Sequence, residues 1–248
     1  MCWRALILVF VAGVAQTMSA TSAIALRSPH RVVLATDSRA IYGAHASATE
    51  CKLFEVGDVF VTVSGLAHYG NAYRATDAVR QGFARPGTFS THLSATAFYL
   101  QRDVGNLLAS LERNRADEYR YMWSSSADLV ELAVAETVRG QPMLGIIELR
   151  RRAGAAGLIA TTTVCPGNCR QSNGLYYLGY WERIKPYVAG SGQERNVGSA
   201  ASIDRLIRLE MAAHPNEVGA PINILELNGS GARWLQNGGN CSLRGVGW

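Results

Sequence analysis

The chain has 248 residues, 48% of them apolar and 17% charged, which fits one folded domain and excludes a disordered polymer. Its formal charge of +5 rests on arginines that are scattered apart from Arg150-Arg151-Arg152, with only Lys52 and Lys185 as lysines, so no nucleic-acid partner is expected. No apolar run reaches the roughly eighteen residues of a membrane-spanning helix, and five cysteines are too few for a small disulfide scaffold.

In chain order, the first segment reads as an export signal. Arg4 supplies a positive charge, Ala5–Ala15 is an unbroken apolar run of eleven residues, and the small, polar stretch QTMSA follows. Cuts after Ala15, Ala20 or Ala23 all suit it. The alternative is a buried first strand. The expected organisation is a signal peptide over 1–20, a folded domain over 21–235 and a Gly-rich surface tail over 236–248. The mature protein is expected to be periplasmic or secreted, with no stable membrane anchor.

Short β-type runs at Thr21–Leu26 and Arg31–Thr36 flank a Ser-Pro-His turn, and Lys52–Val56 and Val59–Val63 flank Gly57-Asp58 as a hairpin. After Ser64-Gly65 the period becomes helical. A helix is expected over Asn71–Phe83, stopped by Arg85-Pro86-Gly87, and a longer one over Thr88–Arg115 with Leu93, Ala97, Leu100, Val104, Leu107, Leu108 and Leu111 on one stripe. Strands return at Leu129–Val138, Met143–Arg150, Leu158–Val164 and Leu175–Leu178. A third helix follows over Asn196–Ala213, and a last hairpin joins Pro221–Leu227 to Ala232–Leu235 around Asn228-Gly229. Strands and helices come in blocks, which disfavours an alternating parallel fold. Two stacked sheets with helices outside them would bury apolar strands on both faces.

Signal removal takes Cys2 and leaves Cys51, Cys165, Cys169 and Cys241, an even number that suits two disulfides in an oxidising compartment. Cys165-Pro-Gly-Asn-Cys169 reads as a turn closed by a local bridge, which would leave Cys51 for Cys241, but all three pairings stay open. The five histidines are isolated in sequence and form no HExxH, so no metal and no cofactor are expected. GxSxG, GxxxxGK and GxGxxG are absent. An N-terminal Cys2 nucleophile is set aside because it lies inside the export segment.

What remains is a constellation: Thr21 at a strand start, Asp37 at the end of the next strand, and Lys52 opening another. Antiparallel neighbours can bring these three to one end of a sheet. The motifs around them, Thr21-Ser22-Ala23, Val33-Leu34-Ala35-Thr36-Asp37-Ser38-Arg39, Lys52-Leu53-Phe54, Ser64-Gly65 and Val188-Ala189-Gly190-Ser191-Gly192, resemble those of the proteasome β-subunit family of N-terminal nucleophile (Ntn) hydrolases. The resemblance spans about Thr21 to Leu235. It implies an α+β fold, a four-layer αββα sandwich with two stacked, mainly antiparallel sheets. It also implies a threonine-type amide hydrolase with Thr21 as nucleophile, its own α-amine as base, Lys52 and Asp37 tuning them, Gly65 as oxyanion donor and Ser191 near the amine. Val63 and Ala67 would line an apolar substrate pocket. The substrate would be a peptide or small amide, and a homo-oligomer is compatible.

Two departures stand out. The family's D-x-x-S-G-G segment aligns with Pro215-Asn216-Glu217-Val218-Gly219-Ala220, which puts Pro215 and Val218 where an acid and a serine usually stand and leaves Glu217 or Asn216 to compensate. Ala20, rather than the glycine typical of self-cleaving propeptides, precedes Thr21. Three rival readings follow: a non-catalytic binding or assembly module on the same fold, an acylase-type enzyme acting on a non-peptide amide, and a cytoplasmic ring-forming protease whose leader is a self-cleaved propeptide.

Overall fold

A computed structural model describes residues 17–19, 21–42, 46–125, 128–152, 157–169, 174–191 and 197–242. Most of the expected export segment, Met1–Gln16, therefore lies outside the described residues. The chain opens on β1 (Thr17–Ser19), β2 (Ser22–Ser28), β3 (Arg31–Thr36), β4 (Arg39–Tyr42), β5 (Ala46–Thr49), β6 (Leu53–Val56), β7 (Val59–Tyr69) and β8 (Tyr73–Arg74). Three helices follow: α1 (Ala75–Phe83), α2 (Phe89–Asn114) and α3 (Ala116–Ser125). Then come β9 (Asp128–Val138), β10 (Gln141–Arg151), β11 (Leu158–Cys165) and β12 (Leu175–Gly179), the helices α4 (Ile184–Ser191) and α5 (Ala200–Ala213), and the hairpin β13 (Asn223–Asn228) with β14 (Gly231–Gln236).

Every strand pairing among the described residues is antiparallel. One sheet runs β11-β10-β9-β7-β1-β4-β5, with β6 and β8 also on β7, and the other runs β12-β2-β3-β13-β14. The alternation of side chains along each central strand explains why the sheets stack. On β9, Val130, Leu132 and Val134 face a core shared with α1, α2 and α3, while Ala133 and Ala135 face the second sheet. On β3, Val32 and Leu34 join Ala133, Leu144 and Leu225 between the sheets, while Val33 and Ala35 pack with Ile184, Val188, Ile203 and Ile207 of α4 and α5. Strands apolar on both faces need cover on both faces. Helices outside two stacked sheets supply it, and the result is a four-layer αββα sandwich.

Several boundaries differ from the sequence reading. β7 does not end at Ser64-Gly65 but runs on to Tyr69. Gly65 sits at φ +81°, and the β1–β7 register shifts between Thr17↔His68 and Ser19↔Gly65, so the glycine marks a bulge within the strand rather than its end. The helix expected from Asn71 begins at Ala75, because Tyr73-Arg74 first pairs with β7. β4, β5, β8, α3 and α4 are additional elements, and β1 is a strand within the segment expected as a signal peptide. The motif segment Val188–Ser191 forms the last turn of α4. Cys51 is bonded to Cys241 and Cys165 to Cys169.

Candidate active site

The candidate site is built at one end of the second sheet, where β2 begins and β3 ends. The β2–β3 ladder runs from Ser28↔Arg31 to Ala23↔Thr36, and the chain continues it with the Asp37 N–H donating to the Ser22 carbonyl at 3.2 Å. Asp37 is fully buried, and its carboxylate accepts four hydrogen bonds. Oδ1 takes the Ser22 N–H at 3.1 Å and Lys52 Nζ at 3.0 Å; Oδ2 takes the N–H groups of Arg39 and Gly219, both at 3.0 Å. The carboxylate therefore ties the amide immediately after Thr21 to the lysine.

Lys52 stands one residue ahead of β6 and is 3% exposed. Burial pushes its ammonium below the usual lysine range, while the Asp37 charge and hydrogen bond, and then Glu50, hold it up. An ammonium so placed carries a charge that water does not screen, directed at the start of β2. Thr21 is 1% exposed, and its carbonyl accepts the Tyr180 N–H at 2.8 Å.

The end of β12 closes the other side. Gly179 has φ +72°, and a Cβ at this position would collide with the Thr21 carbonyl, so only glycine allows this approach. Its N–H donates to Glu131 Oε2 at 2.7 Å. Glu131 interrupts the apolar face of β9 opposite Ser64 on β7, and burial raises its carboxyl to about 7 despite that hydrogen bond. Gly65 is similarly constrained, since a Cβ there would strike the Leu129 carbonyl.

The segment before Thr21 lies in the first sheet. β1 pairs with β4 on one edge, with Met18 opposite Ile41, and with β7 on the other, with Ser19 opposite Gly65. The short segment Thr17–Ser19 thus fills a slot between two strands as an extended, antiparallel segment. Backbone pairing of this kind is also how extended peptides are recognised at sheet edges.

Thr21, Asp37, Lys52 and Gly65 lie around the junction of these elements. Val63 and Ala67, expected to line a pocket, are both buried in the core packed against α1 and α2. Ser191 is the last residue of α4, with its side chain outside the described residues, as is Gly192. At the departure near 215–220, Val218 is buried and the Pro215 carbonyl accepts a hydrogen bond from Arg39 Nη1, while Gly219 supplies a backbone donor to Asp37. Backbone groups, not Glu217 or Asn216 side chains, connect this segment to the carboxylate.

Gly219, Gly179, Glu131 and Tyr180 were not singled out by the sequence reading. Glu131 carried a usable signal, a lone carboxylate in the apolar run LVELAVA. Gly219 keeps the first glycine of the D-x-x-S-G-G pattern. Gly179 and Tyr180 carry no local signal, because their role comes from meeting a strand more than a hundred residues away.

No known protein-family profile matches this chain, and no curated protein matches it in sequence. Among solved structures, it is similar to Anbu (ancestral beta-subunit) from Yersinia bercovieri, with a TM-score of 0.52, 12% identity and 86% of each chain covered. At that identity the likeness shows the fold alone, a proteasome-like four-layer sandwich.

Proposed function

We propose that this chain is the precursor of an exported threonine-type Ntn hydrolase that cuts amide bonds, most favourably in peptides, through an acyl-ester on Thr21. The observation that carries this reading is the buried Lys52–Asp37 pair, fastened through Asp37 to the amide that follows Thr21. In the precursor the Thr21 nitrogen is an amide and cannot act as a base. Cleavage of the Ala20–Thr21 bond frees an α-amine, whose ordinary pKa of about 7.7 leaves it partly neutral at working pH. It then takes the Thr21 Oγ proton, directly or through a water, as Oγ attacks the substrate carbonyl. The Lys52 charge lowers the pKa of both amine and hydroxyl. The Gly65 N–H receives the oxyanion, an interaction worth about 3 kcal/mol at comparable sites. The protonated amine passes its proton to the leaving amine, and water then hydrolyses the ester to regenerate Thr21.

Removal of the leader also supports a peptide substrate, because the slot held by β1 between β4 and β7 suits another extended chain. Two disulfides support an oxidising destination, and no helix among the described residues is long and apolar enough to cross a membrane. No cofactor is needed for this chemistry, and assembly as a homo-oligomer is compatible with it.

The decisive experiment is end sequencing and intact mass of the protein from its native compartment, followed by Thr21→Ala. A start at Thr21, with hydrolysis of peptide fluorogens abolished by the substitution, is expected. A start at Gln16 or Ile24 overturns the catalytic reading. The replacement of the family's acid and serine by Pro215 and Val218 favours a second reading, a non-catalytic binding module. Full biological activity of Thr21→Ala would establish that one. Preference for acyl-amide over peptide fluorogens would instead identify an acylase.

A further inference from the structure

Outside the Thr21 region, α5 ends beside the loop that leads into α4. Glu210 and His214 lie one turn apart on this end of α5, with His214 as the C-cap, and Glu182 approaches from the α4 side. One oxygen of each carboxylate and one imidazole nitrogen lie within 4.8 Å of one another. His214 Nε2 is 3.6 Å from Glu210 Oε2 and 3.7 Å from Glu182 Oε2. These separations are too long for hydrogen bonds. As two edges of a tetrahedron they put its centre about 2.2 Å from each ligand atom, at the long end of zinc–ligand bond lengths.

Glu210 provides the independent observation. It is fully buried, and its Oε1 accepts the N–H groups of Arg183 at 2.6 Å and Ile184 at 2.8 Å, which fixes the carboxylate in place. Its Oε2 has no hydrogen-bond donor among the described residues and points at the cluster. A buried carboxylate oxygen left without a donor is costly. A divalent cation would compensate it, because two carboxylates and a neutral imidazole balance a charge of about +2.

We propose that Glu182, Glu210 and His214 bind a divalent transition metal, Zn2+ in particular, with water in the remaining position. The nitrogen ligand argues against Mg2+ or Ca2+, which take oxygen donors. The backbone donors on Glu210 Oε1 act as the outer shell that metal-binding carboxylates require. Glu182 is 58% exposed and His214 29%, so the ion has a path in from solvent. The metal would clamp α4 to α5. It would also brace Tyr180, whose ring lies 4.3 Å from that of His214 and whose N–H holds the Thr21 carbonyl. The site does not depend on Thr21 being a nucleophile.

The test uses full-length, untagged protein, stripped with a chelator and titrated with Zn2+ by calorimetry, with metal content by mass spectrometry and Co2+ as a visible-absorption probe. One metal per chain is expected, with affinity falling on the order of 100-fold in both Glu182→Gln and His214→Gln. Glu182→Gln alters an exposed side chain and so preserves folding, which circular dichroism verifies. The proposal is overturned if the wild-type chain takes up no stoichiometric Zn2+, or if both variants bind it as tightly as the wild type. In either case the cluster is an ordinary histidine–carboxylate ion pair.

Discussion

The Asp37 carboxylate and the Lys52 ammonium are unequal partners, and the inequality is measurable. Removing Lys52 leaves Asp37 with three backbone donors, from Ser22, Arg39 and Gly219. Removing Asp37 takes the acceptor from those three N–H groups and the adjacent counter-charge from a buried ammonium. Breaking one side of a buried ion pair costs about 3–5 kcal/mol. Asp37→Ala is therefore expected at or beyond the top of that range and Lys52→Ala nearer its foot, both read by urea denaturation. An equal loss in the two variants would contradict this accounting. Glu131 makes a second prediction, on pH. Its carboxyl titrates near 7 in the folded chain against an ordinary 4.5, so folding takes up a proton between those values. The stability it contributes is complete below about pH 4.5, falls by roughly 3 kcal/mol as pH rises to about 7, and changes no further above that. Glu131→Gln should flatten this slope over the same window in denaturation measured at several pH values. An unchanged slope would mean that Glu131 is not the group responsible.

At the scale of elements, the legible parts of the sequence were those with a long, uniform period. The α2 stripe from Leu93 to Leu111 is buried as its spacing required, and β9, β10 and β11 fall where β-type runs placed them. The missed elements had masking signals. α4 contains a proline, Pro186, a residue that usually breaks helices, but as the third residue it stands where a backbone N–H has no intrahelical acceptor to lose. α3 follows α2 with only Arg115 between them, so no proline or glycine announced the break. β4 and β5 are four residues each and carry too few apolar positions to show a period. Gly65 was read as a stop, but its positive φ serves a bulge within β7. The same limit applies to the candidate site. Thr21, Asp37 and Lys52 were visible because each starts or ends a recognisable run. Gly219 and Gly179 matter through backbone groups that reach across the fold, and no local pattern encodes such a meeting.

Across the whole molecule, the two disulfides constrain the chain on very different lengths. Cys51–Cys241 joins residues 190 positions apart and sits at the rim of the core between the sheets, where Leu53 and Trp234 also pack. Cys165–Cys169 spans four positions in a turn after β11. A cross-link stabilises mainly by restricting the unfolded chain, and that restriction grows with the logarithm of the loop it closes. The long bridge should contribute roughly 5 kcal/mol as an upper bound, and the local one roughly 2 kcal/mol. The long bridge also holds the segment after β14 against the residue preceding Lys52, so its loss would loosen the approach to the Lys52–Asp37 pair. Cys51→Ala/Cys241→Ala is therefore expected to lower the urea midpoint well beyond Cys165→Ala/Cys169→Ala. It should also expose the amides around Lys52 to hydrogen exchange, which the local double variant should leave protected. If the two double variants lose equal stability, loop length is not what sets the contribution, and native contacts around each bridge must dominate instead.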